Sequence, residues 1–257
     1  MLRSRIIPCL LIRNNGLVKT VNFKDEKYVG DPVNAVRIFN EKEVDELVVL
    51  DIDASVQRRE PDFKMIGNLA AECRMPLCYG GGVTSAQQAR HIMSLGVEKV
   101  ALSSAIIERP DLVTEIAEEV GCQSVVGVLD VCKGKRGRYS VYTHNGIRDT
   151  GTDPAILAQL FQTKGIGEIV VNSIDCDGTM RGYDLELIRR VRKAIHVPMT
   201  VLGGAGSLND LQTVVREHAP IGVSAGSLFV FKGVYRAVLI NYLSRADRER
   251  IQSSSPS

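Results

Sequence analysis

Glu46-Leu47-Val48-Val49 and, 122 residues further on, Glu168-Ile169-Val170-Val171 are the runs on which the fold turns. Each is apolar and β-branched without polar alternation, the pattern of a parallel strand covered on both faces. The same shift carries Asp31-Pro32 onto Asp153-Pro154, Phe39 onto Phe161 and Asp53 onto Asp175. It also carries Pro76-Leu77 onto Pro198-Met199, Gly81-Gly82 onto Gly203-Gly204 and Ser85 onto Ser207. One repeat of nearly half of a 257-residue chain means two equivalent halves, since a solenoid needs more copies.

Outward from these runs, strands are predicted at Arg5–Leu11, Glu46–Asp51, Pro76–Tyr79, Lys99–Leu102, Ser124–Asp130, Glu168–Asn172, Pro198–Leu202 and Ile221–Ser224. Amphipathic helical stretches lie between them, near 32–42, 62–73, 85–95, 110–120, 153–164, 184–194, 207–217 and 233–245. Eight β-then-α units close into a barrel more readily than they spread as an open sheet. The expectation is one (β/α)8 TIM barrel built from two half-barrel repeats over residues 1–250, with 251–257 as a disordered tail. Cys132–Thr152 departs from the unit; Arg138–Thr143 followed by Asn145-Gly146 predicts a small hairpin after the fifth strand.

Composition removes several function classes. A net charge of +2 from 32 basic and 30 acidic residues leaves no dominant basic surface, which argues against nucleic acid or membrane as partner. No apolar run reaches the roughly 18 residues of a membrane span. The basic-then-apolar start, MLRSRIIPCLLI, is broken by Pro8 and Arg13 and reads as a first buried strand rather than a signal peptide. Six scattered cysteines without a Cys-x-x-Cys pair read as reduced thiols, with no metal site and no cofactor, in a cytoplasmic protein.

Chemistry on such a barrel sits in the loops after the strands. Gly80-Gly81-Gly82 follows strand three and Gly203-Gly204-Ala205-Gly206 follows strand seven, each running into a helix. Ser103-Ser104-Ala105 and Ala225-Gly226-Ser227 open helices after strands four and eight. Such loops let backbone N–H groups approach an anion, or merely make tight turns. Their relation by the repeat favours a ligand with a phosphate at each end. Asp51, Asp130, Asp175 and Asp177 cluster at the same face, as proton-transfer groups, hydroxyl ligands or helix caps. At the other end Arg5, Glu46, Lys99 and Glu168 begin strands one, two, four and six. Two charges of each sign can close into a ring on the barrel floor, or stand as four separately solvated strand starts.

Arg5-Ile-Ile-Pro-Cys-Leu, Val18-Lys19, Val21-Asn22-Phe23, Asp51-Ile52, Gly80–Gly82, Glu98-Lys99-Val100, Tyr142-Thr143-His144, Asp175–Thr179, Gly182–Leu185 and Gly203–Gly206 together resemble the HisF family, the cyclase subunit of imidazole glycerol phosphate synthase. The resemblance covers about residues 1–245. It implies a barrel that binds a bisphosphorylated, aminoimidazole-carboxamide-bearing ribulosyl substrate and takes ammonia from a HisH-like glutaminase docked beneath it. It implies phosphate contacts by Gly82, Ser103, Ser104, Asp177, Gly178, Gly204, Gly226 and Ser227, ligand binding by Lys19 and Asp51, and an ammonia gate of Arg5, Glu46, Lys99 and Glu168. It makes Asp130 the acid of the pair, while the aspartate that the family places at the end of strand one as base is Leu11 here.

Ring closure needs one group to remove a proton and another to deliver one, and leucine does neither. The combination is most similar to HisF paralogues associated with surface polysaccharide (lipopolysaccharide) synthesis. For those the expected role is supply of ammonia to a sugar amidotransferase that makes acetamidino sugars. Two other readings stand beside it: an authentic cyclase of histidine biosynthesis with a substitute base, and a non-catalytic scaffold that activates the glutaminase.

Overall fold

The computed structural model describes residues 3–135 and 137–253. Strand β1 (Arg5–Arg13) folds back through β2 (Gly16–Val21) and β3 (Lys24–Gly30) before α1 (Pro32–Glu41). The first half continues with β4 (Leu47–Asp51), α2 (Phe63–Glu72), β5 (Leu77–Gly80), α3 (Ala86–Ser94), β6 (Lys99–Leu102), α4 (Ser104–Glu108) and α5 (Asp111–Val120). The second half runs β7 (Val125–Lys133), β8 (Tyr139–Thr143), β9 (Arg148–Asp149), α6 (Pro154–Thr163), β10 (Glu168–Ser173), α7 (Leu185–Arg192), β11 (Met199–Leu202), α8 (Leu208–His218), β12 (Gly222–Ala225) and α9 (Ser227–Val230). Strands β1, β4, β5, β6, β7, β10, β11 and β12 pair in parallel in that order, and β12 returns to β1 from Arg5↔Gly222 to Pro8↔Ala225. The eight-stranded barrel is closed.

The repeat shows in how helices begin. Asp31 and Asp153 cap α1 and α6, each followed by a proline whose missing N–H costs nothing at a first turn. Asp62 and Asp184 cap α2 and α7, and Ser85 and Ser207 cap α3 and α8, each side chain accepting from a first-turn N–H. Side chains along β1 alternate between two cores: Ile6, Leu10 and Ile12 pack outward beneath the helices, while Ile7 and Cys9 face the bore. Because both faces are buried, the strands read as unbroken apolar runs. Phe39 and Phe161, one repeat apart, are both fully buried in the outer core.

Three connections stand outside the regular β-then-α unit. The connection after the first strand is a hairpin turning at Asn14 and Asn15, both with positive φ, as a two-residue hairpin turn requires. Strand five runs on to Lys133 and pairs with β8, which pairs with β9, so the expected hairpin is present. The helix expected at 233–245 is absent. In its place β13 (Phe231–Lys232) turns at Gly233, φ 73°, into β14 (Ala237–Val238), leaving Val234 and Tyr235 exposed. Leu239 and Asn241 then donate to the Val230 and Phe229 carbonyls, which holds this segment extended.

The last helix is instead α10 (Arg245–Ser253), begun by Ser244, whose hydroxyl accepts from the Asp247 N–H. It packs Ile251 into the core, so residues 251–253 are helical; 254–257 of the expected tail lie outside the described residues. Gln252 donates to the Ser4 carbonyl, and the Ser4 hydroxyl accepts from the Ile221 N–H, so the first and last described elements meet at the barrel floor. No helix among the described residues is long and apolar enough to cross a membrane. All six cysteines are free thiols.

Candidate functional site

The floor charges form one closed ring. Arg5 bonds Glu46 and, at 2.6 Å, Glu168; Lys99 bonds Glu46 at 2.8 Å and Glu168 at 3.0 Å. Thr200 adds a hydroxyl donor to Glu168 at 2.6 Å. Burial alone would raise the Glu168 carboxyl, but Arg5 and Lys99 outweigh it and hold the group down to about 2. The alternative of four separately solvated strand starts is not what forms. The ring is neutral, and its two carboxylates are buried.

Above the ring the bore is apolar: Ile7, Cys9, Val48, Cys78, Ala101, Val126, Val128, Val170 and Leu202. Leu50, Ala101, Val128 and Leu202 line both the interior cavity over the ring and the mouth cavity, which therefore adjoin. A neutral small molecule can pass such a wall. An ion would lose its hydration with nothing in return.

Of the sequence-predicted residues, the mouth cavity is lined by Leu11, Lys19, Asp51, Gly82, Ser103, Ser104, Asp130, Asp177, Gly226 and Ser227. Gly178 and Gly204 do not line it. A side chain on Gly178 would overlap the Thr20 carbonyl, and one on Gly204 the Gly182 carbonyl, so both glycines answer to close backbone packing. Asp51 is spoken for: its carboxylate accepts from the N–H groups of Asp53 and Ala54 at 3.1 Å and pairs with Arg59 at 3.3 Å.

Lys19, on β2, is buried, and its ammonium donates to the Cys9 carbonyl beneath Gly226. Burial pushes its pKa down, opposed by Cys9 and Asp177. Burial raises the Asp177 carboxyl, which accepts from Thr20 at 3.0 Å. Asn22 ties the same hairpin to the loop after β10 through the Ile174 and Asp175 carbonyls. Lys19 and Asp177 thus meet through a hairpin already folded over the mouth.

Asp130 on β7 and Leu11 on β1 stand on opposite walls, four strands apart around a ring of eight. Asp130 accepts from Asn172 at 2.8 Å, its direct neighbour on β10. Burial raises the Asp130 carboxyl to about 6, against the lowering effect of Asn172 and with a further raise from Asp177. The Asn172 oxygen is buried without a partner. In the other half, Leu11 is paired with Leu50, which lies 122 residues before Asn172. An apolar pair therefore occupies the wall where its repeat carries a hydrogen-bonded acid. A carboxyl near 6 can release and take up a proton at neutral pH, and the facing wall offers no second such group. Sequence reasoning missed Asn172 and Arg59; for Asn172 the repeat itself held the signal, since it falls on Leu50.

A barrel with its polar groups gathered at the carboxyl ends of the strands, a bore beneath them and a charged floor defines the class, and the comparisons agree. The model of a histidine biosynthesis protein family matches residues 5–236, and the chain belongs to that family. Within it the similarity is to HisF subunits of imidazole glycerol phosphate synthase. A Vibrio vulnificus protein named as a third HisF copy is 53% identical over 251 residues, covering 97% of this chain and 96% of the relative. A Pseudomonas aeruginosa protein named as a second HisF copy is 51% identical over 242 residues (94% and 96%). The HisF subunit of Alkaliphilus metalliredigens is 38% identical over 234 residues (91% and 93%).

Proposed function

We propose that this chain is the ammonia-receiving, HisF-like barrel of a glutamine-dependent synthase complex. A HisH-like glutaminase docks on the floor around Arg5, Glu46, Lys99 and Glu168, and that ring gates ammonia into the bore. The mouth holds a bisphosphate-type ligand between Gly82, Ser103 and Ser104 at one end and Gly226 and Ser227 at the other, with Lys19 beside the second. The observation that carries the reading is the neutral charged ring sealing an apolar bore that adjoins a polar mouth.

Leu11 and Leu50 in place of a second acid–base wall favour delivery of ammonia onward, to a sugar amidotransferase forming an acetamidino group, over closure of an imidazole ring in the mouth. The test is to mix the purified chain with a HisH-like glutaminase. A one-to-one complex on gel filtration and faster glutamine hydrolysis are expected. No complex, or an unchanged rate, would refute the reading.

A further inference from the structure

In both halves the hairpin beyond the first strand ends in a left-handed turn at the rim of the mouth. Asn22 (φ 51°) opens the first, directly after β2, and His144 (φ 53°) opens the second, directly after β8. The two residues are used differently. The Asn22 side chain donates to two backbone carbonyls, at 3.0 and 2.6 Å, and is consumed in holding its hairpin down. The His144 ring lines the mouth, with Nδ1 against the Thr143 hydroxyl at 3.1 Å.

The His144 backbone N–H donates to Ser104 Oγ at 3.2 Å, which occupies an acceptor position of that hydroxyl and leaves its proton for another partner. Neighbouring Ser103 Oγ is buried with no partner. When the ring is protonated, Nδ1–H can give to Thr143, and Nε2 carries a second N–H. Two hydroxyls and an imidazole thus gather at one end of the mouth. At the other end the Lys19 ammonium sits against Gly226.

We propose that His144 is the cationic ligand of the Ser103–Ser104 end, a specificity-determining residue that binds a tetrahedral dianion when its imidazole is protonated. This rests on the reading of the mouth as a bisphosphate-type site. Lys19 attends one anionic group of the ligand and His144 the other, so the His144 end binds more tightly when the imidazole carries its proton. Among the described residues the other ionisable groups facing the mouth are Cys9, Lys19, Asp130, Asp177, Arg13 and Asp51, with the Cys9 thiol pushed up by burial and Asp51 paired to Arg59. Arg13 is held by Glu26 and Asp53, and Arg148 pairs with Glu108 at 3.2 Å. Protonation of Asp130 and Asp177 also favours an anion, so the imidazole's part is read by difference.

The probe is inorganic sulfate, which stays a dianion throughout, titrated at pH 8 and pH 5.5 and followed on the Gly82 and Ser104 amide resonances. The full chain is compared with His144→Asn, which keeps a residue tolerant of the left-handed turn, and with His144→Lys, which fixes the charge. Wild-type affinity is expected to rise about fivefold more between the two pH values than that of His144→Asn. His144→Lys should bind more tightly than the wild type at pH 8, and its affinity should rise towards pH 5.5 only as much as that of His144→Asn does. Equal pH dependence in wild type and His144→Asn overturns the assignment of His144. If sulfate moves neither resonance in the wild type at either pH, the anion-site reading beneath it fails instead.

Discussion

Replacing Lys99 by Met removes one of the two cations from the floor ring while keeping an unbranched side chain of nearly the same reach. Lys99 bonds Glu46 at 2.8 Å and Glu168 at 3.0 Å, and both carboxylates are about 5% exposed or less. Arg5 alone would then face two buried carboxylates, leaving a net negative charge with poor access to water. Breaking a buried pair from one side costs about 3–5 kcal/mol, and that loss is expected at pH 8.

The pH dependence fixes the mechanism. In the wild type the Glu168 carboxyl is held to about 2, below its unfolded value. Its contribution, roughly 3 kcal/mol by linkage, is complete above the unfolded pKa and is lost as pH falls through about 2. In Lys99→Met, burial outweighs the remaining cation and raises a carboxyl instead, so the variant regains stability as pH drops through that raised value. Urea unfolding of both proteins at pH 8, 6.5 and 5 should show a deficit that shrinks towards acid. A deficit under 1 kcal/mol that does not change with pH would mean that the four charges act as separate surface groups.

Three further outcomes follow from the mouth. Restoring a carboxylate with Leu11→Asp should raise ring closure of the ribulosyl bisphosphate with ammonia on the order of 10²–10⁴-fold over the wild type, measured by absorbance and by rescue of a cyclase-deleted histidine auxotroph; equal rates would place the base elsewhere. Gly204→Ala should destabilise the fold by about 2 kcal/mol or more, because its Cβ would overlap the Gly182 carbonyl at φ 113°. Unchanged thermal unfolding of Gly204→Ala with weakened anion binding would instead make it a ligand contact. Asn172→Leu removes the hydrogen bond that lowers the Asp130 carboxyl, so its midpoint should move above about 6 in a carbon-13 carboxyl titration. A midpoint that stays or falls would show that Asn172 is not what restrains it.

The barrel was legible because a 122-residue shift repeats the features that fix helix starts and buried strands: capping Asp and Ser, first-turn Pro, apolar β-branched runs. The floor ring was legible as charges at strand starts, where closure of the barrel brings residues far apart in sequence to one point. Residues 233–245 misled because their apolar spacing suits a helix, whereas Gly233 and the Val-Tyr pair beside it settle into a hairpin. The hairpin after the first strand carried its signal in Asn14-Asn15-Gly16, hidden by the short apolar runs on either side. Gly178 and Gly204, expected as phosphate loops, each also pack against another stretch of backbone, a second demand for glycine that only tertiary packing reveals. Arg59 reaches Asp51 through a loop whose path no local pattern dictates.

Ser4, held by Ile221 on one side and Gln252 on the other, brings the first and last described elements together at the floor. With those two elements adjacent and its halves equivalent, the fold is a bracelet with one open clasp. Joining that clasp with a short linker and opening the bracelet between the halves, in the exposed Gly121–Gln123 turn, would put the second half first without moving a strand. The order in which the halves are synthesised is then separable from the architecture they build.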